Sequence, residues 1–361
     1  MSETEVVSLV LKDLITGILT RIATSDRRHN IDKDTSCERK TKKSRVDLLG
    51  HMKLTRPMIN FTIIPKSYIF AVGTKNSVKI TNIIGETKGK DIYMGYDMEH
   101  KDINYCIKPC DHSIESPEYL IHGYVSNAIS STIEDSKNND SKKIEDAMNH
   151  YYVTKLYGYS TFYRYNYMIT EYGGRDMFDY VVKNTIPIEY VLRYFRMMCI
   201  SIKMCHDNGI IYRDVKLENY VINLKTHVVK LIDFGESTTM SRDYPFFNRG
   251  RTGTSIYIGP DVLANPTTIE KDSHKQNEKG DIWALGICLY VLMYKHHPFN
   301  AETQAGIVKN IIKMKFWSSI LMEKSLCEKT DKINALILSI LKRNPDMRPS
   351  IDDIISRVEA I

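Results

Sequence analysis

One window of the chain, residues 210–235, constrains its architecture more than any other. It reads Ile-Ile-Tyr212-Arg213-Asp214-Val-Lys216-Leu-Glu-Asn219-Tyr-Val-Ile-Asn and then, after four residues, Val-Val-Lys-Leu-Ile-Asp233-Phe-Gly. Two β-forming stretches around a polar turn predict a hairpin that holds two loops side by side. The loops carry a carboxylate, an ammonium, a carboxamide and a second carboxylate. Asp214 could accept the proton of an attacking hydroxyl, and Lys216 could neutralise charge on a phosphate in flight. Asn219 and Asp233 could hold a magnesium ion from the two adjacent loops.

This window resembles the catalytic loop and Asp-Phe-Gly motif of eukaryotic-type serine/threonine protein kinases, and further motifs extend the resemblance from about residue 68 to 358. It implies an α+β, bilobal fold with a small β-rich N-lobe and a larger helical C-lobe. The division expected is an N-terminal helix and basic linker over 1–60, an N-lobe over about 61–170 and a C-lobe over about 174–361. Lysine two residues after the catalytic aspartate, and Thr254 placed to bond Asp214 and Lys216, are serine/threonine features of the family. Gly259-Pro260-Asp261 is similar to its Ala-Pro-Glu loop, with Arg348 as the expected partner of Asp261. Asp281-Ile-Trp283-Ala-Leu-Gly286 is similar to its central helix.

The nucleotide site is expected from the same resemblance. Ala71-Val-Gly73-Thr-Lys-Asn76-Ser-Val78 occupies the place of the glycine-rich loop, with one of the three usual glycines present. Tyr105-Cys106-Ile-Lys108 is similar to the family's phosphate-binding lysine strand. Glu118 is the expected partner of Lys108, with Glu115 and Glu134 as alternatives. One turn after Glu118 stands His122, where an apolar residue is normal. Met168-Ile-Thr170-Glu171-Tyr172-Gly173 resembles the hinge between lobes, with Thr170 as gatekeeper and the main chain of Glu171 and Gly173 beside the adenine. Val78 and Cys106 above the purine and Val221 below complete an apolar sandwich. ATP and Mg²⁺ are the implied cofactors. Arg213 reads a phosphate on the activation segment, at Thr252 or at Ser237, Thr238, Thr239 or Ser241, unless packing alone orders that segment.

Local patterns give the elements. Tyr68–Ile83 reads as a hairpin and Asn104–Lys108 as a strand. Ser116-Pro117-Glu118 starts a helix, because a serine cap, a proline and an early carboxylate fall in sequence. Residues 134–146 read as an exposed loop, and Val153–Tyr159 and Tyr165–Tyr172 as strands. Helical periodicity covers Ile188–His206, Asp281–Tyr294, Ile307–Phe316, Ile333–Leu341 and Ile351–Val358.

The chain has 361 residues and a formal charge of +6, with much of the basic excess in the cluster Arg39, Lys40, Lys42, Lys43 and Arg45. The cluster reads as a solvated linker, so a nucleic-acid partner is not expected. Val6–Ile22 has helical spacing but is interrupted by Lys12, Asp13 and Arg21. It reads as an amphipathic helix, which packs on the body or takes a partner, and no membrane span is expected. Seven scattered cysteines without a CxxC pair fit a reducing compartment. Cys106, Cys110 and His112 are not expected to bind metal. The localisation expected is intracellular, cytoplasmic or nuclear, and abundant Ile, Lys, Asn and Tyr hint at an AT-rich genome such as that of a virus or parasite.

The leading reading is phosphoryl transfer from Mg-ATP to serine or threonine hydroxyls of a protein substrate, with Asp214 as base. The alternatives are a pseudokinase that binds ATP as a scaffold, and a kinase acting on a small molecule. The joint presence of Lys108, Asp214, Lys216, Asn219 and Asp233 argues against the first. Lys216, Thr254 and the Gly-Pro-Asp loop argue against the second.

Overall fold

The structure, a computed structural model, describes residues 59–60, 62–64, 77–87, 89–110, 116–136, 152–162, 165–240, 253–264, 278–316, 319–321 and 327–361. The expected N-terminal helix, the basic cluster, and Ala71, Gly73, Asn76, His112, Glu115, Ser241 and Thr252 lie outside the described residues. Leu48 to Ile361 form one compact unit.

The first half of this unit is a sheet of β1 (Ile59–Asn60), β2 (Thr62–Ile64), β3 (Ser77–Thr87), β4 (Lys90–Asp97), β5 (Asn104–Cys110), β6 (Leu156–Phe162) and β7 (Tyr165–Glu171). β3 to β7 are antiparallel in the order β6-β7-β5-β4-β3. β1 pairs in parallel with β6, and β2 in parallel with β3. Since Phe61 alone separates β1 from β2, one short segment links the two outer strands and covers part of each edge.

Of the hairpin expected at Tyr68–Ile83, residues 77–83 lie in β3, which pairs with β4 across a connection that includes Gly89, and residues 68–76 lie outside the described residues. Gly89 takes φ +73° in that turn, a conformation that side chains with a Cβ rarely adopt. Register shifts between Ile80 and Asn82 and between Ile83 and Gly85 break the alternation of β3. The strand therefore carries no clean two-residue period in sequence.

Helix α1 (Pro117–Ser136) follows β5. Its start has the expected chemistry, with Ser116 Oγ accepting the Tyr119 N–H at 3.3 Å. Its end does not: the expected loop start, Glu134, lies inside the helix, and residues 137–146 lie outside the described residues. A polar helix end and a loop share one composition, and only tertiary anchoring separates them.

The second half contains β8 (Arg175–Asp176), α2 (Met177–Lys183), α3 (Ile188–Asp207), β9 (Ile210–Ile211), β10 (Tyr220–Asn223), β11 (Val228–Leu231), β12 (Thr238–Thr239), α4 (Pro260–Leu263), α5 (Glu278–Tyr294), α6 (Gln304–Lys313), α7 (Glu328–Ile340) and α8 (Ile351–Glu359). This is the α+β, two-lobed arrangement. Every residue of α5 from Asp281 to Leu292 is buried, as its unbroken apolar character requires. α3 packs on α5, β11 and α8. It buries Val191, Phe195, Met198, Ile202 and Cys205 at three- and four-residue spacing. Each such side chain stabilises the fold by roughly 1.5–3 kcal/mol.

Arg348 ties the far helices to the first turn of α4. Its side chain is fully buried, with Nη2 2.5 Å from Asp261 Oδ1. Nη1 donates to the Lys279 carbonyl at 2.8 Å and Nε to that of Lys342 at 2.9 Å, while the guanidinium lies 5.0 Å from the Trp283 ring centroid. Replacing Arg348 with Met strands a carboxylate and two carbonyls. Arg348→Met is expected to destabilise the fold by about 3–5 kcal/mol, measured by chemical denaturation.

Candidate active site

α3 ends at Asp207, β9 follows, and the chain enters the loop at Tyr212. A single 3-10 turn, Leu217–Asn219, leads into β10. The β10–β11 hairpin then returns the second loop beside the first, where the Ile232 N–H donates to the Asn219 carbonyl at 2.9 Å. Arg213 and Asp233 have φ of +73° and +61°. Such strain at non-glycine residues persists only where the surroundings over-determine it.

Asp281, at the start of α5 and 2% exposed, supplies part of that constraint. Its Oδ2 accepts the Tyr212 N–H at 2.9 Å and His206 Nε2–H at 2.9 Å, and its Oδ1 accepts the Arg213 N–H at 2.8 Å. Tyr212 is buried, and its hydroxyl donates to the carbonyls of Ile232 and Asp233. Thus α5 fixes the first loop, and Tyr212 fixes the second to the first. The sequence showed the Asp281 motif as an architectural landmark and gave no sign of this bond set, because all three donors lie far away in the chain.

The structure brings Asp214, Lys216, Asn219 and Thr254 together. Asp214 Oδ2 accepts from Lys216 Nζ at 2.7 Å and Asn219 Nδ2 at 2.9 Å. Its Oδ1 accepts from the Thr254 N–H at 3.1 Å and Oγ1–H at 3.2 Å. Lys216 Nζ also donates to Thr254 Oγ1 at 2.9 Å. The carboxylate is held from both sides by groups on two separate segments.

A second cluster joins Lys108 on β5, Glu118 in the first turn of α1, and Asp233. Lys108 Nζ lies 2.6 Å from Glu118 Oε1 and 2.9 Å from Asp233 Oδ1. Burial would lower the lysine's pKa, but Glu118 and then Asp233 outweigh it and hold the ammonium charged above its usual range. Burial raises the pKa of Glu118 despite Lys108. For Asp233 burial acts the same way, but Lys108 and the Gly235 N–H hold it below the carboxylate range. Glu134 lies sixteen residues after Glu118, towards the other end of helix α1.

Two carboxylates around one ammonium leave a net negative charge, which favours a cation. Asn219 donates its Nδ2 protons to the carbonyl and carboxylate of Asp214, leaving Oδ1 as the atom it can offer a metal. With Asp233 this is an all-oxygen donor set, suited to a hard ion of the magnesium type. The residues fit such a group.

The lysine-bearing face of the sheet is set by the pleat. Cys106 and Lys108 of β5 lie opposite Thr170 and Met168 of β7, and Met94 of β4 lies opposite Cys106, so these five share a face. Ile92, two residues before Met94, shares it. Val78 does not: it packs with Tyr105, Ile107 and Ile169, the odd-numbered face of β5 and β7. The expected place of Val78 above the purine is therefore corrected, because its strand presents it to the other side of the sheet. The β3–β4 turn next to the lysine strand also lies at Gly89, well past Ala71, Gly73 and Asn76. The signal available in sequence was Ile84-Gly85-Glu-Thr-Lys-Gly89, close enough before Lys108 for a short antiparallel connection.

The hinge segment has its own constraints. Glu171 accepts from Lys230 Nζ at 2.6 Å. A Cβ on Gly173 would sit 2.3 Å from Val221 Cγ2, so the chain passes tightly over Val221. Burial raises the Cys106 thiol pKa, which keeps it protonated beside Thr170. Ser237 is buried, and its hydroxyl donates to the Tyr212 carbonyl at 3.2 Å. It is thereby corrected as a phosphate acceptor. Thr238 and Thr239 pair with β9.

His122 and His297 are both pushed down to about 4, with burial the largest cause. Each ring takes a proton less readily folded than unfolded, where the value is 6.5. Stability is complete above that value and declines as pH falls toward about 4, by up to roughly 1.4 kcal/mol per pH unit and ring. Denaturation midpoints measured from pH 7.5 to 4.5 should fall, and less steeply in His122→Leu.

Among the described residues no helix is long and apolar enough to cross a membrane. The family model for the protein kinase domain matches residues 126–358, more than half of the chain. Lys108 and Glu118 precede that stretch and join the site through the distances above. The chain is 29% identical over 211 residues to calcium-dependent protein kinase 4 of Plasmodium berghei, covering 57% of this chain and 37% of that protein. It is 30% identical over 199 residues to the ovarian-specific serine/threonine-protein kinase Lok of Drosophila melanogaster, covering 52% and 38%. Against CBL-interacting serine/threonine-protein kinase 18 of Arabidopsis thaliana it is 31% identical over 190 residues, covering 52% and 34%. The chain thus spans little more than a third of the length of these relatives.

Proposed function

Since the chain belongs to the protein kinase family, we propose that it transfers the γ-phosphoryl group of Mg-ATP to serine or threonine hydroxyls of protein substrates. The observation that carries this reading is the approach of Lys108 to both Glu118 and Asp233, beside an Asp214 carboxylate already bonded to Lys216, Asn219 and Thr254. A pseudokinase has no need of all these groups in register.

In this reading Lys108 binds the α- and β-phosphates, and Glu118 keeps its ammonium in place. Asp214 orients the substrate hydroxyl toward the γ-phosphorus and takes its proton as the oxygen–phosphorus bond forms and the β–γ bridge breaks, giving ADP and the phosphoester. Lys216 stabilises the charge that spreads over the moving phosphoryl oxygens. Asn219 and Asp233 would hold Mg²⁺, which when bound neutralises phosphate charge. The adenine would lie between Cys106 and Val221, beside the main chain of Glu171 and Gly173. Ile92, on the lysine-bearing face, would cover the purine, and the β3–β4 connection that includes Gly89 would lie over the phosphates. Arg213 would read a phosphate on the activation segment at Thr252. The test is transfer of label from γ-labelled ATP to protein serine or threonine with Mg²⁺ present and its loss on chelation. Nucleotide binding with no transfer under any metal would overturn it.

A further inference from the structure

Glu118, His122 and Ser126 recur at four-residue intervals, so they form one stripe along α1. The stripe faces inward, with His122 2% and Ser126 4% exposed, amid the buried Leu120, Ile121 and Val125. Each polar group on it has a different partner. Glu118 meets Lys108 on β5 at 2.6 Å. His122 Nε2 lies 2.6 Å from the Thr154 carbonyl, and Ser126 Oγ accepts the Leu156 N–H at 3.1 Å. A carbonyl can only accept, so His122 carries its proton on Nε2. Its Nδ1 is buried with no partner.

The segment that receives these bonds is tied to the second catalytic loop. The Thr154 N–H donates to the Leu231 carbonyl at 3.0 Å, its Oγ1–H to the same oxygen at 3.2 Å, and the Leu231 N–H donates to Tyr152 at 2.7 Å. Leu231 precedes Asp233 by two residues. The His122 ring also stacks on Phe234, with centroids 4.8 Å apart at 27°. Glu118 and Asp233, which share Lys108, are therefore both referenced to residues 152–156.

We infer that His122 and Ser126 are positioning residues that lock α1 in the rotation presenting Glu118 to Lys108. The inference rests on the kinase reading of that ion pair. Apolar contacts are non-directional and let a helix rotate or slide while remaining buried. Here either motion would strand the Thr154 carbonyl, the Leu156 N–H and the His122 N–H away from water, which is strongly unfavourable. A leucine at 122 would remove the orphan Nδ1 but leave the Thr154 carbonyl without its donor, so the two effects on stability oppose each other. What the imidazole adds is the direction of its bond. The engaged position of Glu118 is thus supported by the chain's own hydrogen bonds.

The test compares His122→Leu with His122→Gln, whose amide can donate to the same carbonyl. Hydrogen exchange, which needs no phosphotransfer, is expected to speed up about tenfold across residues 116–126 and at the Leu156 amide in the leucine variant. Its melting temperature should change little, because loss of the orphan Nδ1 offsets the stranded Thr154 carbonyl, and glutamine should restore protection. In phosphotransfer, kcat/KM should fall about tenfold in His122→Leu and by nothing further when Glu118→Gln is already present. Unaltered exchange in His122→Leu overturns the inference whatever the activity. So does an activity loss that persists undiminished in the Glu118→Gln background, because His122 would then act by a route other than Glu118.

Discussion

Asp214→Asn is expected to lower kcat by roughly 10³-fold, within the range for loss of a positioned general base. The amide keeps the size of the carboxylate but can no longer accept from every side. Lys216, Asn219 and the two Thr254 donors all point at the two oxygens of Asp214. An NH₂ in place of one oxygen opposes either Lys216 and Asn219 or Thr254, so the substitution removes the base and loosens its holders. The nucleotide cluster of Lys108, Glu118 and Asp233 is untouched, so KM for ATP should stay within about threefold of the parent value. Steady-state kinetics with ATP and peptide varied in turn give both numbers. A kcat within a factor of ten of the parent would remove Asp214 from the chemistry.

The second large effect is expected at a residue that touches no substrate. Asp281→Ala deprives the Tyr212 and Arg213 amides and the His206 ring of their shared acceptor inside the core. Three stranded donors make a loss of about 3–5 kcal/mol, the range for breaking a buried polar cluster. For a domain of this size that is a melting-temperature drop of roughly 10 °C. Activity should fall by at least about 10²-fold even well below the melting transition, because misplacement of the loop by an ångström has that effect. Arg213 at φ +73° loses part of what holds that conformation once its N–H is released. Calorimetry and kinetics at a temperature where the variant is fully folded separate the two consequences. A variant that melts early yet works normally when folded would show that α5 stabilises the loop without shaping it.

The catalytic loop was legible in the sequence because its chemistry is local. Asp214, Lys216 and Asn219 fall within six residues, and the hairpin that returns Asp233 has two clear strands around a polar turn. The long helices were legible because α3 and α5 bury continuous apolar faces. Glu118 was recognisable from its serine–proline helix start, yet its distance to Lys108 depends on how α1 sits on the sheet. Two features kept the β3–β4 hairpin from being legible. The bulges of β3 remove the alternation that marks a strand, and Val78 then falls on the wrong face by the parity of the pleat. Two- and three-residue strands such as β1 and β2 have no signal of their own, since their pairing partners lie fifteen to about a hundred residues away. His122 stood out as a polar residue in an apolar place, but its partner Thr154 is thirty-two residues on, and no local pattern points to it.

The central claim is that one cleft brings a nucleotide's terminal phosphate to Asp214 with metal held by Asn219 and Asp233. Anomalous diffraction from crystals grown with Mn²⁺ and a non-hydrolysable ATP analogue tests it most directly. The account predicts manganese bound by Asn219 Oδ1 and an Asp233 carboxylate oxygen at roughly 2.1–2.2 Å, near the range for ions of the magnesium type, with the terminal phosphate directed toward Asp214 and Lys216. Manganese and triphosphate bound away from these residues, or a terminal phosphate turned from Asp214, would contradict it.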